Sequence, residues 1–464
     1  MARPIKWLLG AGLAFSVLAG AAARAEAPVT LAPEQMRAAA VATLKSGQPH
    51  KALSYSNALL NRDPNDRIAH LIRARAARDL GEIEGARTSA KAAWELSETP
   101  DQKYSSAMVM AQVLATAGQR TRAQWWLRRA VQAAPNTALS QKAVRDFKYV
   151  RARNPWATRL SFSVTPDSNI NNGSSERSSF LNYNLTEQLY GQQVEHELGG
   201  TALALSGLEY ALGFDTRYRL YQTSTRAHDL TFSLDARHYT LSGDAKQIAP
   251  TAEGSDFAFV SYAFGYGHRG INMDEKGEYT FGLDLGQTWY GGEEYTRFIR
   301  GRAGQSYALS PEMQVHMQVS GERQFGEKTS DLDTLRSAFS VTQRLENGSQ
   351  LRLTASGAVT SSPTQDQEFT ELGVRAQMSL GKPVFGAHVT FGLGVRGRDY
   401  DTSIHSRDGR QDTRATAEVT LAFPKIDYYG FNPTMTLSAS QTNSNIGLFQ
   451  SDRVGINFGI QSAF

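Results

Sequence analysis

The last stretch of the chain, residues 453–464, alternates apolar residues with polar or small ones at a period of two. The apolar members are Val454, Ile456, Phe458, Ile460 and Phe464. Such a period with one apolar face predicts a β-strand. A final strand in an open sheet would leave one edge unpaired, whereas a closed barrel pairs it with the first strand. We therefore expect a barrel, and the last strand of a soluble β-sandwich is the alternative.

Similar alternation recurs through residues 154–464 and predicts fourteen antiparallel strands. We place them at 157–166, 199–222, 228–240, 255–268, 278–290, 294–308, 311–323, 333–345, 348–360, 367–380, 383–397, 411–424, 432–443 and 451–464. The second is long enough to conceal a hairpin at Gly213. An even number is expected if the chain enters and leaves the barrel on one side.

The expected connections differ in length between the two ends of this barrel. Those at 309–310, 346–347 and 381–382 are short and fall on the side where the chain enters. Those at 167–198, 241–254, 324–332, 398–410 and 444–450 are longer and fall on the other side. Short turns inside and long loops outside are typical of a transmembrane barrel in the outer membrane. The mean hydropathy of −0.41 fits this class, since only every second residue faces lipid.

The N-terminus predicts a signal peptide, residues 1–25. Arg3 and Lys6 precede an apolar run over 7–23, and a small-x-small site ends at Ala25. A retained membrane anchor is the alternative. The chain has no cysteine, so it contains no disulfide and no cysteine that could carry a lipid.

Residues 26–153 show three similar helical units. Each has a glycine, an alanine five residues later and a proline seventeen or nineteen residues later, beginning at Gly47, Gly81 and Gly118. This spacing resembles the tetratricopeptide repeat (TPR), whose units stack into an α-solenoid with a concave groove. The aromatic positions usual in the first helix of that repeat are not filled, and a generic helical bundle is the alternative.

Charge divides unevenly between the two parts of the chain. Residues 26–151 contain 19 basic and 11 acidic residues. The rest of the mature chain contains 27 basic and 34 acidic residues. Basic residues interleaved with aromatic ones suit an acidic or extended polypeptide partner. The candidate client-binding residues are Arg73, Arg75, Arg78, Arg122, Trp125 and Trp126. The alternative is a solvated basic face with the tryptophans in the core. Nucleic acid is a poor candidate for a secreted chain.

No catalytic constellation is recognisable in the sequence. The nine histidines and the serines lack the spacing of a nucleophile elbow or a zinc site. We therefore expect no enzyme and no cofactor. Charged residues on the inward parity of the strands are predicted to line or brace a lumen. These candidates are Asp284, Arg352, Arg375, Arg396 and Glu418.

A Ser-Asn-Ile segment occurs twice, once after the first predicted strand and once before the last. Their residues are Ser168, Asn169 and Ile170, and Ser444, Asn445 and Ile446. We expect both to lie at the outer end of the seam that closes the barrel. Two unrelated turns are the alternative, because Asn favours turns by bonding to its own backbone.

These features together resemble the surface lipoprotein assembly modifiers. The resemblance rests on the signal peptide, the repeats, the segment 166–172 and the closing segments Phe431-Asn432-Pro433, 444–446 and Phe464. It implies a periplasmic helical domain over 26–153 and a fourteen-stranded outer-membrane barrel over 154–464. It also implies client proteins, either surface lipoproteins or secreted proteins that handle haem or metal. Phe458, Ile460 and Phe464 resemble the signal read by the barrel-assembly machinery.

The sequence thus favours an outer-membrane translocon that receives a client in the periplasm and delivers it to the cell surface. Its expected partners are the client, outer-membrane lipid and the barrel-assembly machinery. A passive porin-like channel or a polysaccharide exporter with a helical scaffold is the principal alternative. A surface adhesin that binds through its long loops is another.

Overall fold

The computed structural model describes residues 31–462, so the predicted signal peptide and Phe464 lie outside the described residues. Helices come first in the chain and strands follow. The chain forms two compact units, one up to Leu96 and one from Ser97 onward. The proposed domain boundary at 153/154 coincides with the change from helix to strand, and as a domain boundary it stays a prediction.

Residues 31–96, the described part of the first unit, form four helices in two antiparallel pairs. They are α1 (Pro33–Lys45), α2 (Pro49–Arg62), α3 (Arg67–Asp79) and α4 (Ile83–Glu95). Gly47 and Gly81 turn each pair with positive φ, a conformation that glycine adopts without strain. Ala52 and Ala86 are fully buried, so the helices of a pair pack closely.

The second unit begins with three more helices of the same kind. These are α5 (Pro100–Thr116), α6 (Arg120–Ala133) and α7 (Thr137–Arg153). Gly118 again has positive φ, and Ala123 is fully buried. The glycine and alanine spacing seen in the sequence therefore marks real helix–turn–helix units, and the TPR-like prediction is confirmed.

The rest of the second unit is a closed antiparallel barrel of fourteen strands, as predicted. Shorter elements also occur in its loops. In chain order the elements are β1 (Trp156–Asp167), β2 (Ser178–Phe180), α8 (Tyr183–Tyr190), β3 (Glu195–Glu197), β4 (Gly207–Gln222), β5 (Arg226–Leu241), α9 (Gly243–Ile248), β6 (Phe259–Asn272), β7 (Gly277–Tyr290), β8 (Glu293–Ala308), β9 (Met313–Gly326), β10 (Leu332–Arg344), β11 (Gln350–Ser361), β12 (Phe369–Ser379), β13 (His388–Tyr400), β14 (Arg410–Ala422), β15 (Phe431–Ser444) and β16 (Ser451–Ser462). Among the strands of residues 31–462, only β2 and β3 stand outside the barrel, where they pair with each other.

Each barrel strand pairs with the next in the chain, and β1 pairs with both β4 and β16. The end where α7 leads into β1 is here called the helical end, and the opposite end is the loop end. Turns at the helical end include 309–312 and 345–349, and the loop end carries 168–206, 242–258 and 401–409. The predicted distribution holds only in part. Residues 291–292 form a two-residue turn at the loop end, whereas the connections 380–387, expected as 381–382, and 423–430 at the helical end are each eight residues long.

The second predicted strand is a single strand, but it begins at Gly207 and not at residue 199. Residues 200–202 form a short 3₁₀ helix, and Ala204 and Leu205 bond to the loop that follows β1. Gly213 continues the strand opposite Ser161, so no hairpin turns there.

The two faces of the barrel wall differ in chemistry. Large apolar side chains are exposed on alternate residues of the strands; examples are Leu160, Phe162, Leu283, Leu285, Leu372, Val374, Leu393 and Val395. The ion pairs in the body of the barrel lie on the opposite parity. The first face is the lipid belt of a barrel, and the second lines the lumen. None of the described helices is long and apolar enough to span a membrane.

Candidate functional site

The junction between β1 and β16 is the least complete ladder of the barrel wall. On its other side, β1 pairs with β4 at every residue from Trp156–Tyr218 to Asp167–Gly207. With β16 it pairs only at Ser163–Gly459, Val164–Phe458 and Asp167–Gly455. Residues 156–162 therefore have no ladder partner on the β16 side among the described residues. This junction, here called the seam, is paired at the loop end and open at the helical end.

Side chains fasten the loop end of the seam. Arg453 of β16 donates from Nε to Oδ2 of Asp167 at 2.7 Å, and the Asp167 side chain is only 3% exposed. The amide of Ser168 donates to the carbonyl of Val454 at 3.0 Å, and Ser168 Oγ accepts the amide of Val454 at 2.8 Å. Asn457 Nδ2 donates to Thr165 Oγ1 at 2.8 Å. We call this set of contacts the seam latch.

Only one of the two Ser-Asn-Ile segments lies at the seam. Ser168 belongs to the latch, and Asn169 is buried, where its side chain bonds the amide and the carbonyl of Gly173. Ser444 ends β15 and pairs with Asp412 of β14, so the whole of β16 separates it from β1. Asn445 bonds to Gly409 and Gln411 of the neighbouring loop. The expectation that both segments flank one seam is corrected on this point.

The two segments are nevertheless linked through the long loop 168–206. Ser174 Oγ donates to the carbonyl of Gly447 at 2.7 Å, and the amide of Leu448 donates to Ser179 Oγ at 3.0 Å. Ile170 packs with Leu205, Tyr239 and Phe257 in one buried cluster at the loop end. Ile446 is buried as well. The loop after β1 is therefore tied to the loop that precedes β16.

Arg128 of α6 joins the helices to the helical end of the barrel. Its Nη1 donates to the carbonyls of Tyr429 and Gly430 at 2.9 Å each, and its Nη2 donates to Ser462 Oγ at 2.9 Å. The guanidinium also stacks on the ring of Phe431 at 4.4 Å. Burial, together with the nearby charge of Arg151, lowers the pKa of Arg128. One buried cation thus holds α6, the turn 423–430 and the last strand together.

The same contacts explain the Phe431-Asn432-Pro433 segment. Phe431 supplies the ring under Arg128, and Asn432 is buried with its Nδ2 donating to the carbonyl of Ile426 at 2.9 Å. The turn 423–430 is therefore held on one side by Asn432 of β15 and on the other by Arg128 of α6.

The predicted lumen residues lie on the inner face of the wall, where they form cross-strand contacts. Asp284 accepts from Arg302 Nη2 at 2.9 Å, and Arg396 lies 3.5 Å from Glu371. Arg375 pairs with Glu418, and Arg352 donates to Thr342 Oγ1 at 3.1 Å. Opposite charges on strands that lie close together in the wall stabilise the barrel from its inner face. Their part in passage through the lumen stays a prediction.

The candidate client-binding residues fall on two helices. In α3, Arg78 pairs with Asp79, while Arg73 and Arg75 are half-buried. Burial is the main cause that lowers the pKa of Arg75, and the charge of Arg78 adds to it. In α6, Arg122 donates to Gln119, and Trp125 is 55% exposed. Arg129 stacks on Trp126 at 4.8 Å. Trp125 is thus the most accessible aromatic group of the set.

Two of the three residues proposed as an assembly signal are described. Phe458 and Ile460 are exposed on the lipid-facing side of β16. Phe464 lies outside the described residues. Recognition of this face by assembly machinery stays a prediction.

Sequence reasoning missed the residues that make the most specific contacts, Asp167, Arg453 and Arg128. Asp167 and Arg453 could have been paired in advance, because both have inward parity at the loop ends of the first and last strands. Arg128 gave no such signal, since its partners are carbonyl groups about three hundred residues away in the chain.

Several solved structures are similar to parts of this chain. The first TPR domain of human RPAP3 is 15% identical, with coverage of 26% of this chain and 94% of that chain and a TM-score of 0.24. The type III secretion translocator chaperone SycD of Yersinia enterocolitica is 20% identical, with coverage of 26% of this chain and 83% of that chain and a TM-score of 0.24. A loop-deletion form of the outer membrane protein OmpT of Vibrio cholerae is 7% identical, with coverage of 66% of this chain and 99% of that chain and a TM-score of 0.32. No curated protein matches the chain.

A closed fourteen-stranded barrel with a lipid belt, preceded by TPR-like helices, defines an outer-membrane barrel protein with a helical module. Residues 156–459 match the family model of the surface lipoprotein assembly modifiers. Because that match covers most of the chain, the protein belongs to the surface lipoprotein assembly modifier family. The family consists of assembly modifiers and not of enzymes, and membership supports a role in surface lipoprotein assembly.

Proposed function

We propose that this protein is an outer-membrane translocon that delivers client lipoproteins from the periplasm to the cell surface. The single observation that carries the proposal, beyond family membership, is the seam. A translocon that releases a lipid-anchored client needs a lateral exit, and a weakly paired ladder is where the wall can open. A passive pore does not need such an opening. The lipid anchor of such a client must reach the membrane while its polypeptide stays in water.

The open half of the seam supports this function through its backbone chemistry. Unpaired backbone groups cost several kcal/mol each in lipid, so a wall strand without a partner is costly unless a client strand completes the ladder. Residues 160–162 of β1 lie opposite residues 460–462 of β16 and form no ladder pairs with them. A client segment in extended conformation is the natural group to occupy this part of the ladder.

The orientation follows from this proposal. The helical end faces the periplasm, where the helices receive clients, and the loop end with its latch faces the cell exterior. Trp125 and Arg122 of α6, and Arg73, Arg75 and Arg78 of α3, are proposed to contact the client. The barrel-assembly machinery is the proposed partner that inserts the barrel, and outer-membrane lipid surrounds its belt.

The test locks the seam covalently. Ser163 and Gly459 face each other across it, and Ser163 faces Ala211 across the complete β1–β4 ladder. The double variants S163C/G459C and S163C/A211C therefore differ only in which ladder is locked, and the natural chain has no cysteine to interfere. Cells carry an epitope-tagged surface lipoprotein of the same organism, and its exposure is read by protease accessibility on intact cells.

Oxidation should stop client display in S163C/G459C and leave it unchanged in S163C/A211C, and reduction should restore it. Display at the wild-type rate through the locked seam would show that the client does not leave sideways. Equal display in cells that lack the protein would refute the translocon function itself.

A further inference from the structure

A cavity of about 830 Å³ lies where α6 and α7 meet the helical end of the barrel. Its lining includes the basic residues Arg120, Lys148, Arg151, Arg153, Arg217, Arg219 and Arg269. No carboxylate is among the described residues that line it. A cavity so rich in one charge raises the local concentration of groups of opposite charge.

The cations in this cavity come from two sources and converge on one space. Arg120, Lys148, Arg151 and Arg153 come from the helices, and Arg217, Arg219 and Arg269 have inward parity on β4 and β6. The wall residues therefore point into the lumen and away from lipid. The cavity therefore lies at the helical end of the lumen.

Internal partners neutralise only part of this charge. Arg219 pairs with Asp229, and Arg217 lies 3.5 Å from the same carboxylate. Arg153 stacks on the ring of Tyr149 at 3.6 Å. Among the described residues, Arg120, Lys148, Arg151 and Arg269 form no ion pair within 4.0 Å. These four cations are available to a ligand.

The cavity also adjoins the open half of the seam. Ala157 lines it and is the ladder partner of Arg217, so one wall of the cavity is the start of β1. That part of β1 has no ladder partner on the β16 side among the described residues. A ligand in the cavity can thus meet positive charge beside the first residues of a wall strand, a combination that suits an extended peptide.

We propose that this cavity binds an acidic, extended segment of the client polypeptide as it enters the barrel. The inference rests on the proposed function, since it names the chemistry of the substrate at the entrance of that translocon. A single phosphate group is far smaller than the cavity. Lipid headgroups contact the outer face of the wall, whereas the wall cations here face inward.

The experiment measures peptide binding to the purified full-length protein in nanodiscs of phosphatidylcholine. The probe is a fluorescein-labelled peptide of twenty residues rich in Asp and Glu, with a Ser/Gly peptide of equal length for comparison. The cavity variant is K148E/R151E. The matched control is K142E/R145E, which reverses two exposed charges on the same helix away from the cavity. R269E on the barrel wall provides a second, independent cavity variant, and a heat-shift gel verifies folding of each protein.

Wild type should bind the acidic peptide and not the neutral one, and both cavity variants should weaken binding about tenfold, as expected for close charge pairs. The control should change it less than twofold. Unchanged binding in the cavity variants, or equal loss in the control, would overturn the proposal. So would displacement of the peptide in nanodiscs of phosphatidylglycerol, because the ligand would then be anionic lipid. Binding is measured without translocation, so a failure of client display in wild-type cells would count against the translocon alone.

Discussion

Arg453 of the last barrel strand donates from Nε to Oδ2 of Asp167 of the first strand, with 2.7 Å between the two atoms. The pair crosses the junction that closes the ring, and it sits where the backbone ladder is paired. Because the carboxylate is almost fully buried, replacing it would leave the guanidinium with only the more distant Glu209 carboxylate and the Asn172 side chain as partners.

The first prediction concerns this pair. Asp167→Asn should destabilise the folded barrel by about 2–3 kcal/mol, as expected for loss of a charged hydrogen bond, and lower the temperature of the heat-shift transition. Asp333→Asn removes an exposed pair with Arg323 and should have little effect. An unchanged transition in D167N, or an equal shift in D333N, would show that the seam latch adds no special stability.

The second prediction concerns Arg128. Arg128→Lys keeps the charge but cannot reach two carbonyls and the Ser462 hydroxyl at once, because an ammonium lacks the guanidinium fork. Loss of about 2 kcal/mol of local stability should make amide exchange in residues 423–430 roughly thirtyfold faster. Arg129→Lys, which alters only the stack on Trp126, should leave that turn protected. Full protection of the turn in R128K would contradict the anchoring role.

The third prediction concerns the two faces of the wall. Leu393 lies in the middle of β13 on the outer face and is 63% exposed. Leu393→Arg should destabilise the barrel by about 2–4 kcal/mol, since a charge at the bilayer centre is costly. Gln377→Arg introduces the same side chain on the inner face of β12 and should be tolerated. Comparable losses of heat-modifiable protein in both variants would show that the faces are assigned wrongly.

The fourth prediction concerns pH. The amide of Asn182 donates to Nδ1 of His405 at 3.2 Å, which attaches α8 to the loop 401–409. Burial lowers the pKa of His405, with a further contribution from Arg410, while Asp366 opposes the shift. A folded pKa below the ordinary value means that this attachment is complete above about pH 6.5 and is lost as pH falls through the lowered pKa.

The protection of the amides of residues 182–190, that is, their exchange rate relative to the intrinsic rate at the same pH, should therefore fall on acidification. The variant His405→Gln cannot take up a proton, so its exchange should follow only the intrinsic pH dependence of amides. A wild-type profile identical in shape to that of H405Q would rule out His405 as the titrating group.

The strands were predictable because lipid on one side and water on the other impose a strict period of two. Runs such as 278–290 and 311–323 carry that period in their own residues. The start of β4 was misplaced because Ala202 and Ala204 continue the apolar parity of the even positions, although hydrogen bonds with Ser174 in the loop after β1 hold them outside the strand. Likewise, α8 and the β2–β3 hairpin were missed, since contacts with residues 404–405 and 447–449 support them.

The sites were harder to predict than the strands. The basic cavity needs Lys148 and Arg151 from a helix beside Arg217 and Arg269 from two strands, and only packing of α7 against the ends of those strands brings these together. The sequence showed that the strand residues Arg217 and Arg269 have inward parity near the helical end. It did not show where α7 packs relative to them. Ser444 shows the opposite error, because repetition of a short motif indicated a proximity that the strand order does not allow.

The division of the chain between Leu96 and Ser97 has a consequence for how such proteins diversify. Helices α5 to α7 fold as one unit with the barrel, and Arg128 fixes them to it. A recombination event at the start of β1 would sever that attachment, whereas one near residue 96 would exchange α1 to α4 as an intact module. Exchange of the first four helices would therefore leave the Arg128 anchor and the barrel wall in place.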